Sequence, residues 1–277
     1  MKSTLLLALT LSGCALSHEL HGTSLHPRSE VTSPSFGYHG LKGPTNWHGL
    51  NPEANALCAK GTHQSPINVA STGCGPRSAN PVFHVPAVPE GAEFLNLGTT
   101  VEVIANGTLI KGNKMSNLAQ FHFHTPSEHS VDGKYYPMEV HFVFQAPDQS
   151  LSVVGFLIDL ETPSSDPLSA GLLATIAKSL EDIQHSGNST NTGPLAFDRL
   201  EQHFAAHGTF QYVVSPYSGS LTTPPCSEGV SWVVSCAPIV VRAADYLAFR
   251  DVIKFNARFT QNTPGEINLI ENAAKDL

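Results

Sequence analysis

The sequence predicts one large, mainly β domain with short helices, and three observations support this fold class. Several segments of strand length alternate apolar and polar residues, or are apolar almost throughout, as in strands buried on one or both faces. The pair Asp132-Gly133 lies between two such segments and is a strong signal for a hairpin turn. No internal repeat and no domain linker occurs after residue 36. We therefore predict a single domain over residues 36–277.

The N-terminal residues are predicted to be processed rather than folded. Residues 1–17 resemble a signal peptide, because the basic residue Lys2 precedes a short apolar run and Ala15-Leu16-Ser17 offers a small-residue cleavage site. A competing interpretation is a bacterial lipoprotein box ending at Cys14, which would then carry a lipid anchor. Residues 18–35 contain several Pro and Ser residues and predict a flexible leader.

Composition and small motifs favour a secreted protein that does not bind nucleic acid. Asn106 and Asn188 begin Asn-x-Ser/Thr sequons, the acceptors of N-glycosylation in secreted proteins. Four cysteines follow the signal peptide, an even number that is consistent with disulfides in an oxidising compartment: Cys58, Cys74, Cys226 and Cys236. Acidic residues (23) outnumber basic ones (15) and no Lys/Arg cluster occurs, which argues against a nucleic-acid partner. No apolar run is long enough to predict a membrane span.

The elements of the domain follow from local patterns taken in chain order. Residues 36–62 are rich in Gly, Pro and Asn and predict irregular structure anchored by Trp47. Apolar patterns predict strands over residues 94–105, 120–124, 139–145, 151–160, 210–214 and 229–241. Asp166-Pro167 is an N-cap followed by Pro at the first helical position, and apolar residues at helical spacing then predict a helix to residue 183. A second helix is predicted over residues 243–255.

Histidines on two neighbouring strands predict a metal site. In the stretch Gln120-Phe121-His122-Phe123-His124, both histidines point to one face because successive side chains of a strand alternate. Glu139-Val140-His141 repeats this parity on the next strand. If the turn centres on Asp132-Gly133, His124 lies roughly opposite His141, although Thr125-Pro126 must interrupt the ladder. Three imidazoles with an open fourth position are typical of a catalytic zinc.

The neighbours of these histidines strengthen the prediction. Metal-bound imidazoles usually donate their other N–H to an acceptor. Gln120 and Glu139 each lie two residues before a histidine, on the same face of its strand, where they can accept that hydrogen bond.

Together, these motifs closely resemble those of the α-class carbonic anhydrases over residues 36–261. The landmarks are Gln64-Ser65-Pro66-Ile67-Asn68, Gln120-Phe121-His122-Phe123-His124, Ser127-Glu128-His129, Glu139-Val140-His141 and Ser220-Leu221-Thr222-Thr223-Pro224-Pro225. The resemblance implies a large, twisted, mostly antiparallel central sheet with short surface α-helices, and zinc at the bottom of a cone. It also implies the reversible hydration of carbon dioxide to bicarbonate and a proton, by attack of zinc-bound hydroxide.

The resemblance assigns roles residue by residue. The implied Zn2+ ligands are His122, His124 and His141, and the implied partners that orient them are Gln120, Glu139 and the backbone carbonyl near Asn256. Thr222 corresponds to a gatekeeper that donates its hydroxyl proton to Glu128, so that its oxygen must accept a hydrogen bond from the hydroxide. The implied carbon dioxide pocket is lined by Val143, Val153, Leu221, Thr223 and Trp232.

One departure from the family pattern concerns proton export. Thr99 occupies the position that usually carries a proton-shuttling histidine, and a threonine cannot titrate near neutrality. At the nearby position of Glu102, members of the family usually carry a polar amide side chain. Export must then use a water chain, another titratable group such as His39, or dissolved buffer.

The resemblance also implies a disulfide and leaves two alternative functions. Secreted members often join the cysteines that correspond to Cys58 and Cys226, which leaves Cys74 to pair with Cys236. One alternative is a carbonic-anhydrase-like binding module without catalysis, although such modules have typically lost a zinc histidine. The other is a cupin-type metal oxygenase with Glu128 as a ligand, although the flanking glycines and second motif of a cupin are absent.

Overall fold

A sheet of eleven strands organises the residues that the computed structural model describes, namely 19–20, 23–24, 31, 33–75, 81–163, 170–207, 209–210 and 217–275. The strands in chain order are β1 Glu19–Leu20, β2 Thr23–Ser24, β3 Asn68–Val69, β4 Cys74–Gly75, β5 Val82–His84, β6 Glu93–Asn96, β7 Val101–Val103, β8 Thr108–Lys111, β9 Lys114–His124, β10 Ser130–Val131, β11 Met138–Gln145, β12 Leu151–Leu160, β13 Ser189–Asn191, β14 Thr209–Phe210, β15 Tyr217–Ser220, β16 Glu228–Val234 and β17 Ile239–Val241. The main path of the sheet runs β13-β6-β7-β9-β11-β12-β16-β15, with β8 beside β9, β5 beside β8, and β17 beside β12.

The pairing is mostly antiparallel, and the parallel pairs of this sheet both involve β12. That strand pairs in parallel with β16 and with β17, whereas β9 and β11 are antiparallel to each other and to their other neighbours. The predicted fold class, mainly β with a large and mostly antiparallel central sheet, is confirmed.

Short helices surround the sheet. The α-helices are α1 Trp47–Leu50, α2 Ala56–Lys60, α3 Ala170–Lys178, α4 Asp198–His207, α5 Ala243–Ile253 and α6 Leu269–Ala273, and the 3-10 turns are Gly40–Lys42, Pro44–Asn46, Ser71–Gly73 and Leu180–Ile183. Within the described ranges, no helix is both long and apolar enough to cross a membrane.

The two faces of the central strands have different contents, as strand parity requires. Phe121 and Phe142 stack on one face with ring centroids 4.7 Å apart, inside a large apolar core that also holds Phe83 and Phe156. The histidines of β9 and β11 point to the opposite face. Burial of the phenylalanine face fixes which way the histidines must point, because a slip of one residue would reverse both faces.

Two of the predicted strands are each divided into two strands in the structure. The strand predicted over residues 94–105 is two strands, because Leu97 N donates to Thr100 O across a turn in which Gly98 has φ +80°. The strand predicted over residues 229–241 is likewise divided into β16 and β17, with Pro238 just before β17.

The predicted helices also differ from the structure toward their C-terminal ends. The helix predicted to residue 183 is α3 followed by a 3-10 turn, and its predicted start at Asp166-Pro167 lies outside the described residues. The helix predicted over residues 243–255 ends at Ile253, where Lys254 takes φ 63° and caps the helix by donating its N–H to Arg250 O at 2.8 Å. Most of the strand predicted over residues 210–214, the signal peptide and Cys14 lie outside the described residues.

Candidate active site

The three histidines of the predicted metal site converge on one face of β9 and β11. His141 is directly opposite His122, and Glu139 is opposite His124. Each histidine is about 1% exposed. The ring centroids lie 5.1 Å apart for His122 and His124, 5.4 Å for His122 and His141, and 4.6 Å for His124 and His141. One ring nitrogen from each histidine lies within 4.8 Å of the other two.

The predicted register, with His124 opposite His141, is wrong by two residues. Asp132 and Gly133 do form a tight turn with φ 49° and 79°, but it closes only a bridge between Val131 and Lys134. The connection between β9 and β11 is therefore a longer excursion, in which β10 leaves the main sheet and pairs with β3. A shift of two residues preserves side-chain parity, so the histidines still share a face.

Each imidazole is held by a hydrogen bond at its other nitrogen. His122 Nδ1 lies 2.9 Å from Gln120 Oε1, and His124 Nδ1 lies 2.9 Å from the backbone oxygen of Asn256. His141 Nε2 lies 2.8 Å from Glu139 Oε1. Because all three acceptors are oxygen atoms, each of these ring nitrogens carries the proton, and the remaining nitrogen of each ring has a lone pair.

The donor set fits zinc. His122 Nε2, His124 Nε2 and His141 Nδ1 are the ring nitrogens outside these three hydrogen bonds. His141 Nδ1 is fully buried without a hydrogen-bond partner, and burial holds the pKa of His141 below its ordinary value. A buried lone pair without a donor is costly unless a cation coordinates it. Three neutral imidazole nitrogens are also the ligand set that leaves a catalytic zinc an open position.

The Glu139 carboxylate accepts hydrogen bonds from four neighbouring groups, which fill its acceptor positions. It accepts from the backbone N–H groups of Glu128 and His129, each at 2.8 Å, and from the rings of His129 and His141 at 2.7 and 2.8 Å. Burial raises the pKa of Glu139, but the two imidazoles and their hydrogen bonds outweigh burial and hold the pKa well below its usual range. His129, Glu139 and His141 also lie close enough to be considered as metal ligands, but the filled hydrogen-bond positions of Glu139 favour a positioning role.

Glu128 and Thr222 lie together beside the histidines. Glu128 is fully buried; its Oε1 accepts from Arg258 N at 2.9 Å, and its Oε2 lies 3.5 Å from His124 Nε2. Burial raises the pKa of Glu128 well above its ordinary value, although hydrogen bonding from Arg258 N and from the Thr222 hydroxyl acts in the opposite direction. Thr222 Oγ1 is buried, and the hydroxyl lies close enough to Glu128 to lower its pKa.

The residues assigned to a carbon dioxide pocket form one wall. Val143 and Val153 are a cross-strand pair, and Val153 pairs with Trp232 on the next strand. The Trp232 ring lies 4.8 Å from the His141 ring, so this wall reaches the histidines. Leu221 belongs to the same apolar cluster, and Thr223 is 3% exposed.

Thr99 and Glu102 are both buried near the histidines. The Thr99 carbonyl accepts from Asn256 Nδ2 at 3.0 Å, and its hydroxyl is buried without a hydrogen bond. Glu102 is 1% exposed and lies directly opposite His122 on β7. His39 is exposed, with its ring 6.2 Å from that of Phe255.

The remaining predicted sites lie outside this cluster. A disulfide joins Cys58 to Cys226, and Cys226 N donates to Thr223 O, so the bridge holds the end of the loop that carries Thr222. Cys236 is also disulfide-bonded, and its pairing with Cys74 stays a prediction. Asn106 and Asn188 are exposed.

Arg258 is a buried charged residue for which the sequence predicts no role. It is 1% exposed, and its guanidinium donates to Gln64 Oε1 at 3.0 Å, Ser65 O at 2.7 Å and Cys58 O at 3.2 Å. Burial lowers the pKa of Arg258 to about 10, and the nearby Glu128 opposes this shift. Arg258 lies within residues 36–261, which resemble the family, and no local pattern distinguishes it from a surface residue.

Comparison with known proteins identifies the family. The sequence model of the eukaryotic-type carbonic anhydrase family matches residues 42–272. A carbonic anhydrase of Pectobacterium carotovorum is 33% identical over 259 residues, which cover 91% of this chain and 93% of that protein. The structure of a fungal α carbonic anhydrase from Aspergillus oryzae is 43% identical, with a TM-score of 0.81 and coverage of 88% of this chain and 100% of that chain. The α-carbonic anhydrase of Thermovibrio ammonificans, solved with the inhibitor sulfanilamide, is 31% identical, with a TM-score of 0.67 and coverage of 84% and 97%.

The predicted family is thus confirmed, and the cupin alternative is wrong because the fold and the matched family differ from it. The match spans the strands that carry the histidines, the Thr222 loop and the Asn256 segment. The chain belongs to the α-class carbonic anhydrase family, and it is an enzyme of that family.

Proposed function

We propose that this chain holds one zinc ion through His122, His124 and His141, and that it catalyses the reversible hydration of carbon dioxide to bicarbonate and a proton. The observation that carries the proposal is the set of three buried imidazoles whose other nitrogens are fixed by Gln120, Asn256 and Glu139. When bound there, zinc would lower the pKa of a coordinated water from about 15.7 to about 7 and so supply hydroxide at neutral pH.

Glu128 and Thr222 would orient the attacking oxygen. Burial favours the neutral form of Glu128, but a zinc ion at the three histidines would favour the ionised carboxylate. Arg258 N donates to one oxygen of Glu128, and the other oxygen would then accept a hydrogen bond from the Thr222 hydroxyl. A hydroxyl whose proton is committed in this way can only accept a hydrogen bond from the nucleophile. Thr222 would therefore direct a lone pair of the nucleophile toward the substrate.

The apolar wall would bind carbon dioxide through apolar contacts, without hydrogen bonds to the substrate. Val143, Val153 and Leu221 offer no hydrogen-bonding side chain, and the Trp232 Nε1–H is already committed to Ser220 O at 2.9 Å. An uncharged, apolar substrate gains by leaving water for such a surface, whereas bicarbonate does not. The wall thus favours release of the charged product.

Proton export would proceed without a titrating group at residue 99. Thr99 cannot exchange a proton near neutrality, and His39 is exposed to solvent. Export would then depend on a water chain, on dissolved buffer or on another titratable group such as His39.

Secretion is part of the proposal. The first residues resemble a signal peptide, and the disulfide between Cys58 and Cys226 suits an oxidising compartment. N-terminal sequencing and glycan analysis of protein recovered from the medium of its native cell test this, and a mature chain beginning at a lipidated Cys14 would contradict it.

Metal analysis combined with stopped-flow carbon dioxide hydration tests the function. We expect one zinc per chain and hydration activity in the wild type. His141→Ala should lose both, because two ligands on one strand cannot close the site. His84→Ala, which removes an exposed histidine elsewhere, is the matched control and should retain both. A His141→Ala protein with stoichiometric zinc and full activity would defeat the proposal.

A further inference from the structure

An apolar cavity is lined by residues of the segments that hold His124 and Glu128, and the proposed mechanism does not use it. Its volume is about 370 Å³, and it is lined by Pro44, Thr45, Pro126, Tyr135, Phe255, Ala257, Arg258 and Phe259. This volume is in the range of small-molecule sites in proteins. Phe255 and Tyr135 are 48% and 46% exposed, so both rings are accessible from solvent.

The cavity shares its backbone with the candidate metal centre. Along residues 255–259, Asn256 and Arg258 are directed toward the site: Asn256 O accepts from His124 Nδ1, and Arg258 N donates to Glu128 Oε1. Phe255, Ala257 and Phe259 alternate with these two residues along the chain, and they line the cavity. One short segment therefore presents its polar groups to the histidines and its apolar side chains to the cavity.

A second wall has the same double role. Pro126 lines the cavity and lies in the chain between His124 and Glu128. The preceding residue, Thr125, is bound to Asn256 at both backbone groups: its N donates to Asn256 Oδ1 at 2.7 Å, and its O accepts from Asn256 N at 3.1 Å. A molecule that separates these two walls would move the backbone that carries His124 and Glu128.

The chemistry of the lining selects an uncharged aromatic ligand. Tyr135, Phe255 and Phe259 present rings, and prolines present flat apolar faces. Arg258 is the charged residue of the lining, and its N–H groups are directed inward to Gln64, Ser65 and Cys58. The Tyr135 hydroxyl is engaged with Thr260 Oγ1 at 2.5 Å. Aromatic rings prefer offset or edge contacts with other rings, which a flat ligand can provide.

We propose that this cavity is a binding site for a flat, uncharged aromatic molecule of one or two fused rings, and that its occupancy is coupled to the metal centre. Binding itself does not depend on the proposed function, whereas the coupling rests on zinc binding by the three histidines. Coupling is reciprocal, so zinc and the aromatic molecule must change each other's affinity by the same factor.

Fluorine NMR with 5-fluoroindole as the probe tests the binding site on the full chain. This probe has no sulfonamide, carboxylate or thiol that would bind zinc. We expect saturable binding with a Kd on the order of 1 mM or below, as is typical of ligands of this size. Ala257→Trp should abolish it by filling the cavity, and Phe259→Ala should weaken it about fivefold or more by removing a wall. Leu247→Ala removes a similarly exposed apolar side chain from α5, outside the cavity, and should change nothing.

Two further measurements separate this site from the metal site. Sulfanilamide should not compete with 5-fluoroindole on zinc-loaded protein, so the apparent Kd for the probe should reach a plateau as sulfanilamide is raised. The Kd for 5-fluoroindole should differ by about threefold or more between zinc-free and zinc-loaded chains. The binding site is overturned if the wild type shows no saturable binding, if both cavity variants bind normally, or if sulfanilamide raises the apparent Kd without limit, as a competitor does. Equal affinity with and without zinc overturns the coupling. A chain that takes up no zinc would defeat the proposed function, while binding to the zinc-free chain would still decide the cavity.

Discussion

At the scale of single residues, the proposed role of Thr222 and Glu128 depends on the hydrogen bond that the Thr222 hydroxyl would donate to Glu128. Glu128 is held at Oε1 by Arg258 N, and Thr222 lies beside the carboxylate. Replacing Thr222 with alanine removes the oxygen that would orient the nucleophile but none of the proposed ligands. We expect Thr222→Ala to keep its zinc and to lose about 10²-fold in hydration rate, the size of a lost transition-state interaction. Stopped-flow assays with parallel metal analysis measure both quantities.

Thr222→Ser is the matched control for that experiment. It retains the hydroxyl and should keep most of the activity. If Thr222→Ala turned over as fast as the wild type, Thr222 would not be the gatekeeper.

Thr99 leads to a prediction about buffer. A group with a pKa near 6.5 moves protons between the site and bulk solvent with little free-energy penalty, and threonine has no such group. Turnover of the wild type should therefore rise markedly with the concentration of a small imidazole-type buffer, while kcat/KM changes little because carbon dioxide capture precedes export. Thr99→His should raise kcat at low buffer, measured by stopped flow across a buffer series. A buffer-independent maximum in the wild type would reveal another proton carrier.

The roles of single residues could be predicted where they depend on local pattern. His122, His124 and His141 follow from strand parity, because alternation within a strand needs no knowledge of the tertiary fold. Arg258 could not be assigned in this way. Its hydrogen-bond partners Gln64, Ser65 and Cys58 are 194, 193 and 200 residues away in sequence. No local sequence pattern therefore indicates that this charge is buried.

At the scale of elements, the central strands were predictable, but their register and the strands β5, β8, β13 and β15 were not. Residues 151–160 form the predicted strand without change, because a continuous apolar run buried on both faces has a strong signal. The pairing of His141 with His122 depended on the connection between β9 and β11, where β10 pairs with β3 instead of continuing a hairpin. Helix α4 was not predicted, since its buried residues are Leu200 and Phe204 alone and its polar residues dominate.

The disulfide gives a prediction about how elements are tied together. Cys58 and Cys226 are separated by 168 residues, so their bridge closes a long loop of the unfolded chain. Loop-closure entropy would make this worth about 4 to 5 kcal/mol of stability in the chain-entropy model. The double variant Cys58→Ser/Cys226→Ser should therefore show a clearly lower free energy of unfolding in urea.

Non-reducing peptide mapping accompanies that measurement. It should find Cys58 joined to Cys226 and Cys74 joined to Cys236 in the wild type. An unchanged free energy of unfolding in the double variant would contradict the expected contribution of the Cys58–Cys226 bridge.

At the scale of the whole molecule, zinc should stabilise the folded chain as a ligand. A metal that binds only the native state adds about 4 kcal/mol when its free concentration is 1,000 times Kd. For a domain of this size, that corresponds to a rise in Tm of about 10 °C. We expect removal of zinc by a chelator to lower Tm by about this amount, and re-addition to restore it.

His141→Ala is the control for the thermal measurement. Its Tm should not respond to chelator or to added zinc, because the site cannot close. A wild-type Tm that is independent of zinc would argue against a metal held by the three buried histidines.

The hydrogen bond between His124 and Asn256 has a consequence for biosynthesis. The two residues are 132 positions apart, and Arg258, which holds Glu128, follows Asn256 closely. A ribosome releases the three histidines well before it releases the segment that orients one of them. If the proposed zinc site is correct, the fully oriented site would therefore form only after the segment that contains Asn256 has been synthesised, and the three histidines alone would not complete it.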